Sequence, residues 1–304
     1  MWMVTGASGF VGGHILTELR RGMTAEGIHR AELGAWDFDN LRRALEGAEG
    51  IVHAASVVHK PTTPVAEYAR FNVEGTRALL EAARAVGVKR FVFISSIKVN
   101  GETPIGVIDE NTPHAADAPY SRTKAEAEDL VLAATDLRPA VLRLCPVYGR
   151  GDKGNVRTMI RAISRRRFVV PGDGSTKKSI VHVSTVASVV RAAAEQLATG
   201  VFVVADRRTP SIRELSDRIA HALGRRRPPS VPGPLLRGAA SVIGGLARLA
   251  RRDTAISSDL IAKAMRSSLC DPSRVERELG VSCTVDLDAA LADEIAWLRE
   301  LGEI

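Results

Sequence analysis

The sequence predicts an α/β protein in which a doubly wound parallel sheet is followed by a smaller C-terminal domain. Three observations carry this. Short apolar runs alternate with helical patterns through the first half, a glycine-rich turn joins the first run to the first helix, and the texture changes near residue 150. The runs WMVTG, GIVHAAS, RFVFISS and AVLRL read as buried strands. Between them, HILTELRR, NLRRALEG, TRALLEAARAVG and AEAEDLVLAA read as helices. Such alternation gives parallel strands joined by crossover helices and covered on both faces. Beyond residue 150 come Gly-, Pro- and Arg-rich stretches, then the helical patterns SIRELSDRIAHALG and LDAALADEIAWLRELG. VFVVA, 201–205, is again strand-like, so the chain is expected to return to the sheet.

The turn after the first strand reads TGASGFVGGH, with Gly6, Gly9 and Gly12 spaced as GxxGxxG. Glycines there let the backbone turn tightly, approach a pyrophosphate and pack helix on strand, leaving the helix N-terminus aimed at phosphate. This makes the sheet Rossmann-type. The expected division is a dinucleotide-binding domain over 1–150, with 179–205 returning to it, and a smaller substrate-binding domain from 151–178 and 206–304. After the second strand a carboxylate normally holds the ribose hydroxyls, but EGIHRAEL offers His29 and Arg30 before Glu32. An arginine can accommodate a ribose phosphate, which favours NADP over NAD.

Composition narrows the setting. With 45% hydrophobic, 25% charged and 4% aromatic residues, the 304-residue chain reads as soluble and globular. Cys145, Cys270 and Cys283 are odd in number and lack CxxC spacing, which points to a reducing cytoplasm. The N-terminus enters the glycine turn without signal-peptide character, and the apolar stretch 231–250 is broken by Arg237, Arg248 and glycines, so no membrane partner is expected. The net charge is +7, with arginine runs at 165–167 and 225–227. Without zinc-knuckle spacing or aromatic-basic interleaving, that charge suits a phosphorylated small molecule or a solvated face and not nucleic acid. No histidine pair has metal spacing, so no metal is expected. His53 and His182 read as strand-end packing residues, and Cys145 as a buried structural thiol.

The stretch YSRTK sets Tyr120 and Lys124 four apart after Pro119, at the start of a helical pattern. Residues so spaced share one helix face about 6 Å apart, and an ammonium near a phenol favours the phenolate. Most pairs of this kind are solvated surface, so context decides. TGASGFVG, IVHAAS, FNVEGTRALLEAA, RFVFISSIKVNGE, YSRTK and LRLCPVYGRG, in this order, resemble the extended short-chain dehydrogenase/reductase family, the NAD(P)-dependent nucleotide-sugar epimerase, dehydratase and reductase group. FISSIKVNGE is similar to bacterial 4-keto-sugar reductases and epimerases of surface polysaccharide synthesis.

The resemblance implies a catalytic Ser96, Tyr120 and Lys124, with Asn72 in the helix beneath them. It implies cofactor contacts from Gly6, Ser8, Gly9, Phe10, Val11, Gly12, Arg30, Ala54, Ala55, Tyr120, Lys124 and Val147. Substrate contacts fall on Ser96, Asn155 and Lys178. The family's dehydratases carry carboxylates after the catalytic serine or threonine, where this chain has Ile97 and Lys98. Leu144 replaces the usual proline after the arginine, and Ser184–Thr185 a usual Asp pair. The expected partners are a nucleotide-diphosphate sugar and at most a second copy of the chain in a homodimer. The expected function is hydride transfer at carbon 4 of that sugar, leaning to a 4-keto-sugar reductase. An NAD-dependent 4-epimerase is the alternative, and a cofactor-binding sensor without chemistry the contrasting class.

Overall fold

The computed structural model describes residues 1–29, 36–58, 63–101, 106–236, 238 and 265–304. Six parallel strands form the main sheet: β1 (Trp2–Thr5), β2 (Ala25–Ile28), β3 (Gly50–His53), β4 (Arg90–Ser96), β6 (Pro139–Leu144) and β10 (Gly200–Val204). Their spatial order is β10-β6-β4-β3-β1-β2. The chain passes from β1 to β2 on one side, then returns past β1 to β3 on the other, so the order reverses between β1 and β3. Ligands of open α/β sheets bind beyond the strand C-termini at such a point.

Apolar runs make the inner strands because both faces are covered, while the edge strand β2, AEGI, exposes Glu26. One face packs α1 (Phe10–Leu19) and α7 (Val183–Glu195), the other α2 (Phe38–Ala44), α4 (Gly75–Ala85) and α5 (Pro119–Ala133). Each of β1, β3 and β6 is buried at every residue. A short α3 (Val65–Tyr68) runs through a π-helical turn, Ala69–Glu74, into α4. The strand VFVVA does join the sheet edge, pairing in parallel with β6 from Gly200↔Ala140 onward.

The later elements gather round a third apolar cluster formed by α6 (Asn155–Ser164), α8 (Ile212–Ala222) and α10 (Leu287–Glu300). Small parallel ribbons surround it: β5 (Val107–Ile108) with β12 (Leu269–Cys270), β7 (Val147–Tyr148) with β9 (Val181–His182), and β8 (Val170–Pro171) with β11 (Ser230–Val231). Helix α9 (Ser273–Leu279) packs beside β10 and α7.

Within α10, Glu294 is fully buried, and its Oε2 accepts the Gly149 N–H at 3.2 Å. Burial first, then the Asp152 carboxylate, raises its pKa from 4.5 to about 8. The folded chain therefore keeps a proton that the unfolded chain releases. The stability tied to Glu294 is full below its unfolded value of 4.5 and is lost as pH rises to about 8. Glu294→Gln should raise the thermal midpoint at pH 8 by about 2–4 °C per kcal/mol of penalty removed, and by little at pH 4.5. Equal shifts at both pH values would rule this out.

The second strand stops at Ile28, so in EGIHRAEL His29 already lies past its end. Arg30 and Glu32 lie outside the described residues, as does most of the stretch 231–250. Among the described residues no helix is long and apolar enough to cross a membrane, and no cluster of His, Cys, Asp and Glu could hold a metal.

Candidate active site

The glycine loop closes β1 with a tight turn. Gly6 has φ +73°, and the Gly9 N–H donates to its carbonyl at 2.9 Å. A Cβ on Gly6 would stand 2.7 Å from the Ala55 nitrogen, and one on Gly12 would stand 2.2 Å from the Gly6 oxygen. Neither position tolerates a side chain, so the loop lies directly against Ala54–Ala55 at the end of β3. Ser8 is exposed at the tip of the turn, and Val11 packs inward against the sheet core. No side chain caps the start of α1, which leaves its first N–H groups available to an anion. Phe10 lies close to Gly151, beyond β7 where Val147 pairs with Val181. These residues fit a dinucleotide.

Behind the loop a hydrogen-bonded chain sets its register. Thr76 Oγ1 donates to the Asn72 carbonyl at 2.6 Å, so it is left to accept from His53 Nε2 at 3.1 Å. Nδ1 of His53 then accepts from Thr5 Oγ1 at 2.7 Å, whose oxygen takes the Ala55 N–H at 3.2 Å. Burial, aided by the Lys124 charge, lowers the His53 pKa to about 3 and keeps the ring neutral. His53 is thus a packing and tethering residue. Asn72 lies in the π-helical turn, which aims its amide between two segments. Its Oδ1 accepts from Val57 N–H at 2.9 Å and Ser56 Oγ at 3.0 Å, while Nδ2 donates to Val57 O and Thr123 Oγ1, each at 3.2 Å.

Thr123 belongs to α5, which carries the YSRTK pair. Pro119 opens this helix, and Ser121 Oγ accepts the Ala118 N–H at 3.1 Å. Tyr120 and Lys124 follow on one face. Lys124 is buried at 3% exposure, donates from Nζ to Ile94 O at 2.6 Å and stands 3.9 Å over the Phe93 ring. Burial pulls its pKa from 10.5 to about 7, against the opposing pull of Glu128. This bond fastens α5 to β4 two residues before Ser96, which ends the strand. Half-buried Ser96 then caps the 3₁₀ turn Ile97–Asn100 by accepting the Lys98 N–H at 3.3 Å. Half-buried Tyr120 packs edge-on against Tyr68, ring centroids 6.3 Å apart.

One group beneath the site escaped the sequence reading. Glu128, one turn beyond Lys124 and fully buried, accepts from Ser95 Oγ at 2.6 Å and from Arg143 Nε and Nη2 at 2.9 and 2.7 Å. Arg143 also donates to Thr112 O at 3.2 Å and meets His114 Nε2 at 3.1 Å. The signal was present: a charged residue inside the apolar run AVLRL, and a carboxylate at helical spacing from Lys124.

The positions that match substrate contacts lie further out. Asn155 is exposed at the first turn of α6, and half-buried Lys178, its pKa lowered by burial, precedes β9. Where the family has an Asp pair, Thr185 Oγ1 donates to buried Asp206 at 3.3 Å, and that carboxylate also accepts the His182 N–H at 3.1 Å. Cys145 is buried, and desolvation raises its thiol well above its usual range, as befits a structural residue.

Comparisons with known proteins agree with this architecture. The model of the NAD dependent epimerase/dehydratase family matches residues 2–205. The chain is 25% identical over 296 residues to an N-acetyl-alpha-D-glucosaminyl-diphospho-ditrans,octacis-undecaprenol 4-epimerase of Escherichia coli O157:H7, covering 90% of this chain and 88% of that one. It is 30% identical to sterol demethylase protein B of Methylococcus capsulatus over 99% of both chains. Among solved structures, MoeE5 in complex with UDP-glucose and NAD matches with a TM-score of 0.77 at 27% identity, over 99% of both chains. With a glycine loop at the sheet's switch point, a Tyr–Lys helix fastened to β4 and a family match over two thirds of its length, the chain belongs to the NAD dependent epimerase/dehydratase family, in the extended short-chain dehydrogenase/reductase group.

Proposed function

We propose that the protein transfers hydride at carbon 4 of a nucleotide-diphosphate sugar, as a 4-keto-sugar reductase. The observation that carries the reading is the fastening of Lys124 to Ile94 O, which holds the Tyr120–Lys124 face of α5 against the strand end that Ser96 closes. The nicotinamide cofactor, when bound, supplies or takes the hydride. Gly6, Ser8, Gly9, Phe10, Val11, Gly12, Ala54, Ala55 and Val147 would hold it. Tyr120 moves the proton, giving it to the reacting oxygen during reduction and taking it during oxidation. Ser96 donates a hydrogen bond to that oxygen. Lys124 sets a positive charge one helical turn from the phenol and so favours the phenolate. We read the C-terminal elements as the sugar-holding unit, with Asn155 and Lys178 toward the diphosphate. Ile97 and Lys98 follow Ser96 in place of carboxylates, which argues against dehydration.

The second reading, a 4-epimerase, uses the same three groups and draws support from the Escherichia coli relative, itself a 4-epimerase. A screen of UDP- and dTDP-linked sugars and their 4-keto forms with NAD(H) and NADP(H) separates the readings. Net consumption of reduced cofactor supports the reductase, and sugar interconversion without net cofactor change supports the epimerase. Turnover confined to sugar-free ketones would overturn both.

Cofactor choice follows from EGIHRAEL, where Arg30 stands in place of a carboxylate. A guanidinium contact to a ribose phosphate is worth about 1.5–3 kcal/mol, roughly ten- to a hundredfold in affinity. NADPH should therefore bind more tightly than NADH, and Arg30→Ala should erase the difference. If fluorescence titration finds no preference in wild type, or an unchanged one in the variant, the NADP reading falls, and the lean toward a reductase falls with it.

A further inference from the structure

Two segments of the C-terminal half repeat one arrangement. Helix α6 ends at Ser164 and leads through Arg165, Arg166 and Arg167 into β8, while α8 ends at Ala222 and leads through Arg225, Arg226 and Arg227 into β11. The helices pack on each other and the strands pair in parallel, with Val170 opposite Ser230. The same numbering shift carries each arginine of the first triplet onto its counterpart in the second. Both turns also close alike, two residues out of step with that shift. Each passes through a left-handed residue, Arg166 at φ +56° or Gly224 at φ +65°. The next N–H then reaches back into the helix at 2.8 Å, from Arg167 to Ala162 O and from Arg225 to Ala220 O. The strands are parallel, so both turns lead into the same end of the ribbon.

All six arginines are exposed. Arg165 reaches the Glu303 carbonyl at 3.3 Å and Arg227 lies 3.8 Å from Asp217. Among the described residues, the side chains of Arg166, Arg167, Arg225 and Arg226 enter no ion pair. The two triplets bring six positive charges to a chain whose formal net charge is +7. Helix-dipole complementarity accounts for Arg161 in the last turn of α6 but not for the triplets, which lie beyond the helix ends.

We propose that this end of the ribbon docks the protein on the anionic surface of a lipid bilayer, in place of the sequence expectation of no membrane partner. The arginines of both turns are exposed, so a planar partner can reach them. Val169, 37% exposed between Arg167 and β8, offers an aliphatic side chain to the interface. Neither triplet contains an aromatic residue, and Phe168 packs into the C-terminal core, so this end has no platform on which bases would stack. Guanidinium forks match the phosphate oxygens of lipid headgroups.

Co-sedimentation of the full chain tests this, with vesicles of phosphatidylcholine alone and with one-third phosphatidylglycerol, at low and high salt. Binding is expected on the anionic vesicles alone and should weaken as salt rises. Each arginine contributes about fivefold to partitioning. The combined variant Arg166→Gly, Arg167→Gln, Arg225→Gln and Arg226→Gln should therefore partition several hundredfold less, with its thermal midpoint and nicotinamide dinucleotide affinity unchanged. No binding to anionic vesicles, equal binding to both vesicle types, a variant that binds like wild type, or tighter binding to duplex DNA or RNA than to vesicles would each overturn the proposal. The lipid and salt comparisons on wild type decide the matter even if the variant fails to fold.

Discussion

Replacing Tyr120 with Phe should lower turnover about 10²- to 10⁴-fold, the usual contribution of one positioned proton-transfer group. Only the hydroxyl is removed. The ring can still pack against Tyr68, and the Lys124 bond to Ile94 O, the Asn72 amide contacts and the glycine loop do not involve it. Cofactor affinity and the thermal midpoint should therefore stay near wild type, so that the loss appears in kcat. Steady-state kinetics beside a cofactor titration reads this directly. Near-normal kcat would remove Tyr120 from the chemistry, and a matching loss of cofactor affinity would make it a binding residue.

The largest effect on stability should come from breaking the buried pair beneath the site. Glu128 is 0% exposed and Arg143 5%, so Glu128→Ala strands a guanidinium where water cannot reach it. Removing one partner of such a pair costs about 3–5 kcal/mol. At roughly 2–4 °C per kcal/mol, the thermal midpoint should fall by about 6–20 °C. Ser95 would lose its acceptor as well, freeing the strand end beside Ser96. The pair itself need not be net stabilising, because desolvating two charges offsets most of their attraction. Glu128→Leu combined with Arg143→Met should therefore recover part of the loss. Urea unfolding of the three proteins tests both halves. A single variant within about 1 kcal/mol of wild type, or a double variant no better than Glu128→Ala, would show that the pair does not act as described.

What the sequence determined by itself is what depends on near neighbours along the chain. The inner strands were legible because burial on both faces demands an apolar run, as in GIVH and in the FVFI of β4. The glycine turn was legible because Gly12 meets the Gly6 backbone only a few residues away, and the Tyr120–Lys124 face because helical periodicity alone aligns residues four apart. Tertiary structure decided everything that needed two distant segments to meet. Lys124 reads as a surface lysine until Ile94 O accepts its hydrogen bond, and Glu128 as a solvated helix carboxylate until Arg143 arrives from β6. The π-helical turn that aims Asn72 at Val57 and Thr123 was decided by the packing of those two segments on it. Two arginine runs 60 residues apart likewise come to one end of a ribbon only through the register of β8 with β11. Hydrogen bonds and charge contacts of this kind are set by long-range packing, which periodicity along the chain does not encode.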